Sequence, residues 1–429
     1  AEMMRKSAMD ARLKDHRTIS NLFDDTIAMR DKDSKNFSNS LRAELQGREQ
    51  MNKMHTQALA MNERYDAARA KASTANVRNM ARERYALYDV AAAYQQVARM
   101  ANMAIKEMAG TAIAYERSFV DVQRTTEFTS IKVGEAARVM KYSLMEVASQ
   151  IPISFGKVTE IATIANQLGI AQGQVASFSK TVAEFATTTG MTVEATAMSF
   201  GRIGELMNVQ QEVGAGQDAY AKLGSAIAYA GVKAVATEQQ ITSVTKEIAT
   251  TAKMAKFTTP EVIGLATALS SVGIAPEAAR GSIMRTFAGI NKAVSAGGSA
   301  LEQYANISGM TADEFKAKWT QNGQVAFDAF VKGLQAMSDS GQSLDTVLRG
   351  IGLKNVRDIQ TIQKLGDNYN VYAEAIRNAN QAFADGTYLN ESYGKIQDTV
   401  AAKLELLKNN WDNFVAGLGE SVIGDTFKL

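Results

Sequence analysis

An apolar seam with unbroken 3-4 spacing runs through Leu87, Ala91, Tyr94, Ala98, Ala101, Ile105, Met108, Ala112, Tyr115, Phe119 and Val122. That alternation is the period of a left-handed coiled coil. A second run, Met51, Met54, Ala58, Met61, Tyr65, Ala68, Ala72 and Ala75, keeps the same spacing in a shifted phase. No proline occurs before Pro152. The spacing predicts one long helix over about residues 1–130, roughly 200 Å at about 1.5 Å per residue. A helix of that length is a rod, and its seams require partner helices along it.

Glycine punctuation divides the 429 residues further. Only Gly47 and Gly110 precede Gly134, after which glycines recur throughout. The junctions Gly169-Ile170, Gly190-Met191-Thr192, Gly273-Ile274-Ala275-Pro276 and Gly309-Met310-Thr311 share one chemistry. Glycine takes the left-handed position that ends a helix. The apolar residue after it packs back on that helix, and threonine caps the next one. Thr311 with Glu314 forms a capping box, and Thr259-Pro260-Glu261 and Pro276-Glu277 read as helix starts. No period-2 run bounded by hairpin dipeptides stands out.

The expected architecture is all-α. A coiled-coil rod spans 1–133, a core of helix hairpins spans 134–354, and longer helices over 355–429 lead to a further rod. Those later helices are expected near Val356–Phe383 and Tyr388–Phe414. The second carries another 3-4 seam, Ile396, Val400, Leu404, Leu407, Trp411, Phe414 and Leu418. Two hairpins, at 159–171 and 260–275, echo each other, through duplication or through shared punctuation. The first residue is Ala, and DTFKL follows an apolar stretch without a stop signal. The expectation is a piece of a longer chain that continues past 429.

Composition narrows the chemistry. There is no cysteine, so disulfides, thiolate metal sites and cysteine nucleophiles are out. His16 and His55 are the only histidines, too far apart on a rod to share a site. No HExxH, GxSxG, Walker motif or GxGxxG occurs. Gly214-Ala-Gly216 and Gly297-Gly298 sit in polar contexts between helices and read as loops. Asp24-Asp25 and Asp31-Asp33 interleave with Arg30, Lys32 and Lys35, which describes a solvated face. Residues 1–110 carry 19 Lys/Arg against 14 Asp/Glu, too diffuse an excess for a nucleic-acid footprint. Tyr94 and Tyr115 read as core rather than as base-stacking residues. The uncharged stretches Ile161–Ser179 and Val262–Pro276 read as buried helix, with an interfacial membrane role for Val262–Val272 as the alternative. No catalytic constellation, cofactor site or metal site is expected.

The segments beyond the rod resemble a known family. ANQLGIAQGQVASFSKTVAEFATTTGMTVEATAMSFGRI (165–203) resembles the core of tape measure proteins from long-tailed bacteriophages. A helix closes on Leu-Gly, a Phe-bearing helix ends at Ala-Thr-Thr-Thr-Gly, and Met-Thr-Val-Glu-Ala restarts the chain. TTPEVIGLATALSSVGIAPEAARGSIMRTF (258–287), YANISGMTADEFKAKWTQNGQVAFDAFVKGLQ (304–335), LDTVLRGIGLKNVRDIQTI (344–362) and KLELLKNNWDNFVAGLGESV (403–422) follow in the family's order. The resemblance covers roughly residues 112–422. It implies a structural virion protein in the tail tube lumen or at the tail tip, present in host cytoplasm during assembly. Such a protein sets tail length, nucleates tail assembly and leaves at genome ejection. Implied partners are itself (a trimer, with a hexamer as the alternative), the tail tube protein, tail tip or baseplate hub proteins, and tail assembly chaperones. Membrane contact is implied only at ejection. The rival readings are a membrane-acting helical effector with a coiled-coil stalk, and an enzyme with a dispersed site.

Overall fold

A computed structural model describes residues 110–126 and 133–426 apart from Ala215, together with Ala92 and residues 94–99. The chain divides into two units, 1–101 and 102–429. In the first, the described residues are helical. Most of the N-terminal rod reading, with Leu87, Ala91, Ala101, Ile105, Met108, His16 and His55, lies outside the described residues.

In the second unit every regular element among the described residues is helical. Helix α1 covers 110–125. It is followed by α2 (Val133–Gln150), α3 (Phe155–Gln167), α4 (Val175–Thr189), α5 (Val193–Met207) and α6 (Val209–Val213). Next come α7 (Ala219–Lys233), α8 (Glu238–Met254), α9 (Thr259–Ser271) and α10 (Pro276–Ala296). Then follow α11 (Gly298–Ile307), α12 (Ala312–Gln321), α13 (Gly323–Asp339) and α14 (Leu344–Gly350). The chain continues through α15 (Val356–Asp367), α16 (Tyr369–Asp385), α17 (Tyr388–Gln397) and α18 (Val400–Thr426).

The junction chemistry is present as read. Gly169, Gly190, Gly273 and Gly309 all have positive φ. After Gly273, Ile274 N–H reaches Leu269 O at 2.9 Å and Gly273 N–H reaches Ser270 O at 3.0 Å. This is the 6→1 and 5→2 pairing that satisfies the last carbonyls of a helix. The same pair of bonds closes α3 and α11, and Ile170, Ile274 and Met310 rest against the core. Thr192 and Thr311 cap α5 and α12, the latter as a full box with Glu314. The cap of α9 lies one residue earlier than the sequence suggests, at Thr258, whose N–H donates to Glu261 Oε2 at 2.8 Å.

One junction of this type lacks glycine. Lys256 closes α8 with φ 64, with Phe257 N–H on Ala252 O and Lys256 N–H on Lys253 O. An L-residue in this region crowds its own Cβ against the backbone. Lys256→Gly is expected to raise stability by about 0.5–1 kcal/mol, the relief of that strain less glycine's entropy in the unfolded chain. Urea midpoints of the two proteins check this, and a lower midpoint for the glycine variant contradicts it.

Helix α9 is the axis of the unit. Every residue from Thr259 to Ser270 is buried. A helix apolar on all sides belongs inside a domain. This explains the uncharged stretch at 262–276 and corrects the interfacial alternative for Val262–Val272, whose faces are already covered. Helix α9 packs on α16, α8 and α7. An aromatic cluster stands beside it. Phe287 meets Trp319 and Phe327 edge-on, with ring centroids at 5.2 and 5.1 Å, and Phe327 meets Tyr372 at 6.1 Å.

The helices after 354 do not simply lead away. Helix α15 packs on α10 and α13, α16 on α9 and α7, and α17 on α4 and α7. The helix expected at Val356–Phe383 is two helices, broken at Asn368, whose Nδ2 donates to Lys364 O at 2.9 Å. The one expected at Tyr388–Phe414 breaks before Val400, where Thr399 Oγ1 accepts from Ala402 N–H at 3.2 Å. Short polar side chains that bond nearby backbone compete with helix continuation.

Candidate functional site

The self-association seam is the one functional surface expected from sequence. Its described members divide into two groups. Tyr94 and Ala98 are exposed. Ala112, Tyr115, Phe119 and Val122, on α1, are buried within this chain. Tyr115 stacks on Phe155 of α3 with centroids 4.3 Å apart and planes within 6°. Its hydroxyl donates to Asn413 Oδ1 of α18 at 2.7 Å. At the end of α1, Asn166 Nδ2 donates to Thr126 Oγ1 at 2.7 Å. The 3-4 period therefore ends as a stripe facing the chain's own core, because seam and core stripe share one period.

Polar groups, several of them buried, tie distant segments together. Arg285 on α10 grips both carboxylate oxygens of Asp358 on α15, at 2.5 and 2.6 Å, and Ser282 Oγ donates to the same carboxylate at 3.0 Å. Glu212 accepts the Thr259 hydroxyl and N–H at the start of α9. Asn409 on α18 donates to the carbonyls of Ala148, Ile151 and Ile153, at 3.0, 3.2 and 2.8 Å. Asn413 adds a bond to Met145 O at 3.0 Å. Each of these groups serves an N-terminus, a C-terminus or a helix pair, so they read as positioning contacts. No sequence signal marks them, since each partner lies far along the chain.

Among the described residues no group of three or more His, Cys, Asp or Glu could hold a metal ion. No helix among them is long and apolar enough to cross a membrane. A cleft of about 870 Å³ lies between α5, α8 and α10. Exposed Met198, Met254 and Met284 line it beside Arg202 and the Arg280–Glu247 ion pair.

Glu184 is the buried carboxylate furthest from ordinary behaviour. Burial in α4 pushes its pKa up to about 6, against an opposing pull from Lys180, whose ammonium lies 3.9 Å away. Its contribution to stability is therefore greatest below the ordinary value of 4.5 and is lost as pH rises through about 6. Glu184→Gln is expected to stabilise the protein at pH 8 by up to about 2 kcal/mol, with the difference vanishing near pH 4. Chemical denaturation at the two pH values checks this. An effect of equal size at both would reject the assigned cause.

Residues 141–349 match the model of a family described as phage-related minor tail protein. The match runs from the middle of α2 to α14 and takes in the whole of α9 with its neighbours α7, α8 and α10. It supports a phage tail protein with a structural, virion-associated role in contact with other tail components. No curated protein and no solved structure matches the chain.

Proposed function

We propose that this chain is the core of a tail tape measure protein. It lies in the tail tube lumen, sets tail length, nucleates assembly with tip or hub proteins and tail assembly chaperones, and leaves at genome ejection. The observation that carries the reading is the order of family-like segments over 112–422, within which residues 141–349 match the minor tail family. The unbroken 3-4 seam upstream of that core fits a ruler, because a rod measures by its residue count. In this reading the chain is a structural protein and not an enzyme. It meets further copies, as a trimer, through Leu87, Ala91, Tyr94, Ala98, Ala101, Ile105 and Met108. Ile105→Lys then weakens association by placing a charge in a desolvated seam. The membrane-acting alternative drew on the uncharged stretch Val262–Val272, and the helix that carries it, α9, is enclosed by the fold.

The reading is tested by interrupting the reading frame at Tyr115 in the phage and growing it in a host that does not suppress the stop. Electron microscopy is expected to show heads without tails. Particles with tails of normal length would overturn the proposal.

A further inference from the structure

Helix α18 is built the wrong way round for a core helix. The face it turns inward carries Ala402, Asn409, Val415 and Ala416, and it is held to α2 largely by the amides of Asn409 and Asn413. The face it turns outward carries its bulk. Val400 is 75 % exposed, Leu404 62 %, Leu407 68 %, Trp411 60 % and Phe414 40 %. These five follow one another at steps of four, three, four and three, the seam of a two-helix contact. The stripe runs about 21 Å along the helix at about 1.5 Å per residue. It presents on the order of 500 Å² of apolar side chain, as large as the biggest patch on an ordinary monomer.

The occupant follows from area and charge. An uninterrupted 3-4 seam accepts a helix of the same period, which the α18 of a second copy supplies. Two such faces together remove about 1,000 Å², where specific interfaces begin. The flanking charges are balanced within the chain, Lys403 with Asp398 at 3.2 Å and Lys408 with Glu405 at 3.9 Å. The rim therefore neither repels its own copy nor selects a partner of one sign. We propose that the outward face of α18 docks on the same face of a second copy of this chain. The inference does not rest on the tape-measure reading, nor on the upstream seam.

The chain carries its own probe. It has two tryptophans, of which Trp319 is buried and Trp411 lies on the stripe. Sedimentation of the full chain is expected to show association in the micromolar range. In step with it, acrylamide quenching should fall and the emission should shift to the blue as Trp411 is covered. Leu407→Glu lies on an exposed position and should keep the helical circular dichroism, weaken association at least tenfold and abolish the protection. Trp411→Phe should keep the association and remove the optical change. A chain that stays monomeric, or association that leaves Trp411 as quenchable as before, would overturn the proposal. So would a Leu407→Glu variant that associates like the parent. Protection of Trp411 only on adding phosphatidylcholine vesicles to a monomeric chain would also overturn it, in favour of a lipid surface.

Discussion

Gly264→Ala is expected to destabilise the protein by about 3 kcal/mol or more, although alanine is the better helix former by about 1 kcal/mol. The glycine sits in α9 where α16 crosses it. A Cβ built there would lie 2.6 Å from Ile376 Cα and 2.9 Å from its backbone nitrogen. Backbone cannot rotate away as a side-chain tip can, so the two helices must separate. Helix α9 is enclosed on every side and has nowhere to move. Gly394 in α17 is the control, because a Cβ there meets nothing within 4 Å. Gly394→Ala should therefore stabilise by roughly 0.5–1 kcal/mol. Urea denaturation of the pair checks both signs at once. Stabilisation at Gly264 would mean that the two helices do not cross as closely as described.

The second large effect is expected at Arg285. Its side chain is 45 % exposed while that of the aspartate it grips is 2 % exposed. Arg285→Ala leaves a carboxylate in the interior with the Ser282 hydroxyl as its remaining donor from this cluster. Removing one member of a buried pair costs about 3–5 kcal/mol, and the low end applies because the guanidinium already stands half in water. Arg285→Ala combined with Asp358→Ala should recover much of the loss, since no charge then remains buried. A double-mutant cycle from denaturation midpoints measures the coupling. A loss below about 1 kcal/mol for Arg285→Ala would show that the carboxylate is solvated, contrary to the geometry.

What was legible in the sequence was local. Gly-Ile, Gly-Met-Thr and Thr-x-x-Glu signals mark helix ends through bonds made within five residues, so the all-helical class and the hairpin junctions could be read directly. The enclosure of α9 was legible too, because a stretch without charge can be covered on all faces. Long-range pairing was not. Nothing near Asp358 points to Arg285, and nothing near Asn409 points to the carbonyls of Ala148, Ile151 and Ile153 that it serves. The return of α15, α16 and α17 onto the hairpin core has no local signal for the same reason. The breaks at Asn368 and Thr399 carry no glycine or proline of their own. The 3-4 seam was found, but its period does not say whether the covering surface belongs to the same chain. Tyr115, Phe119 and Val122 are covered by this chain, whereas Leu404, Leu407 and Trp411 stand uncovered.

The central claim is that the chain measures a tail. Its most direct test is an in-frame deletion of three heptads, residues 54–74, which keeps the upstream seam in phase. A helical rod loses about 10 Å per heptad, so the account predicts assembled tails shorter by roughly 30 Å, with a six-heptad deletion shortening them twice as much. Tail lengths would be measured on electron micrographs of the parent and deleted particles. Tails of unchanged length would contradict the claim, even if the protein were still found inside them.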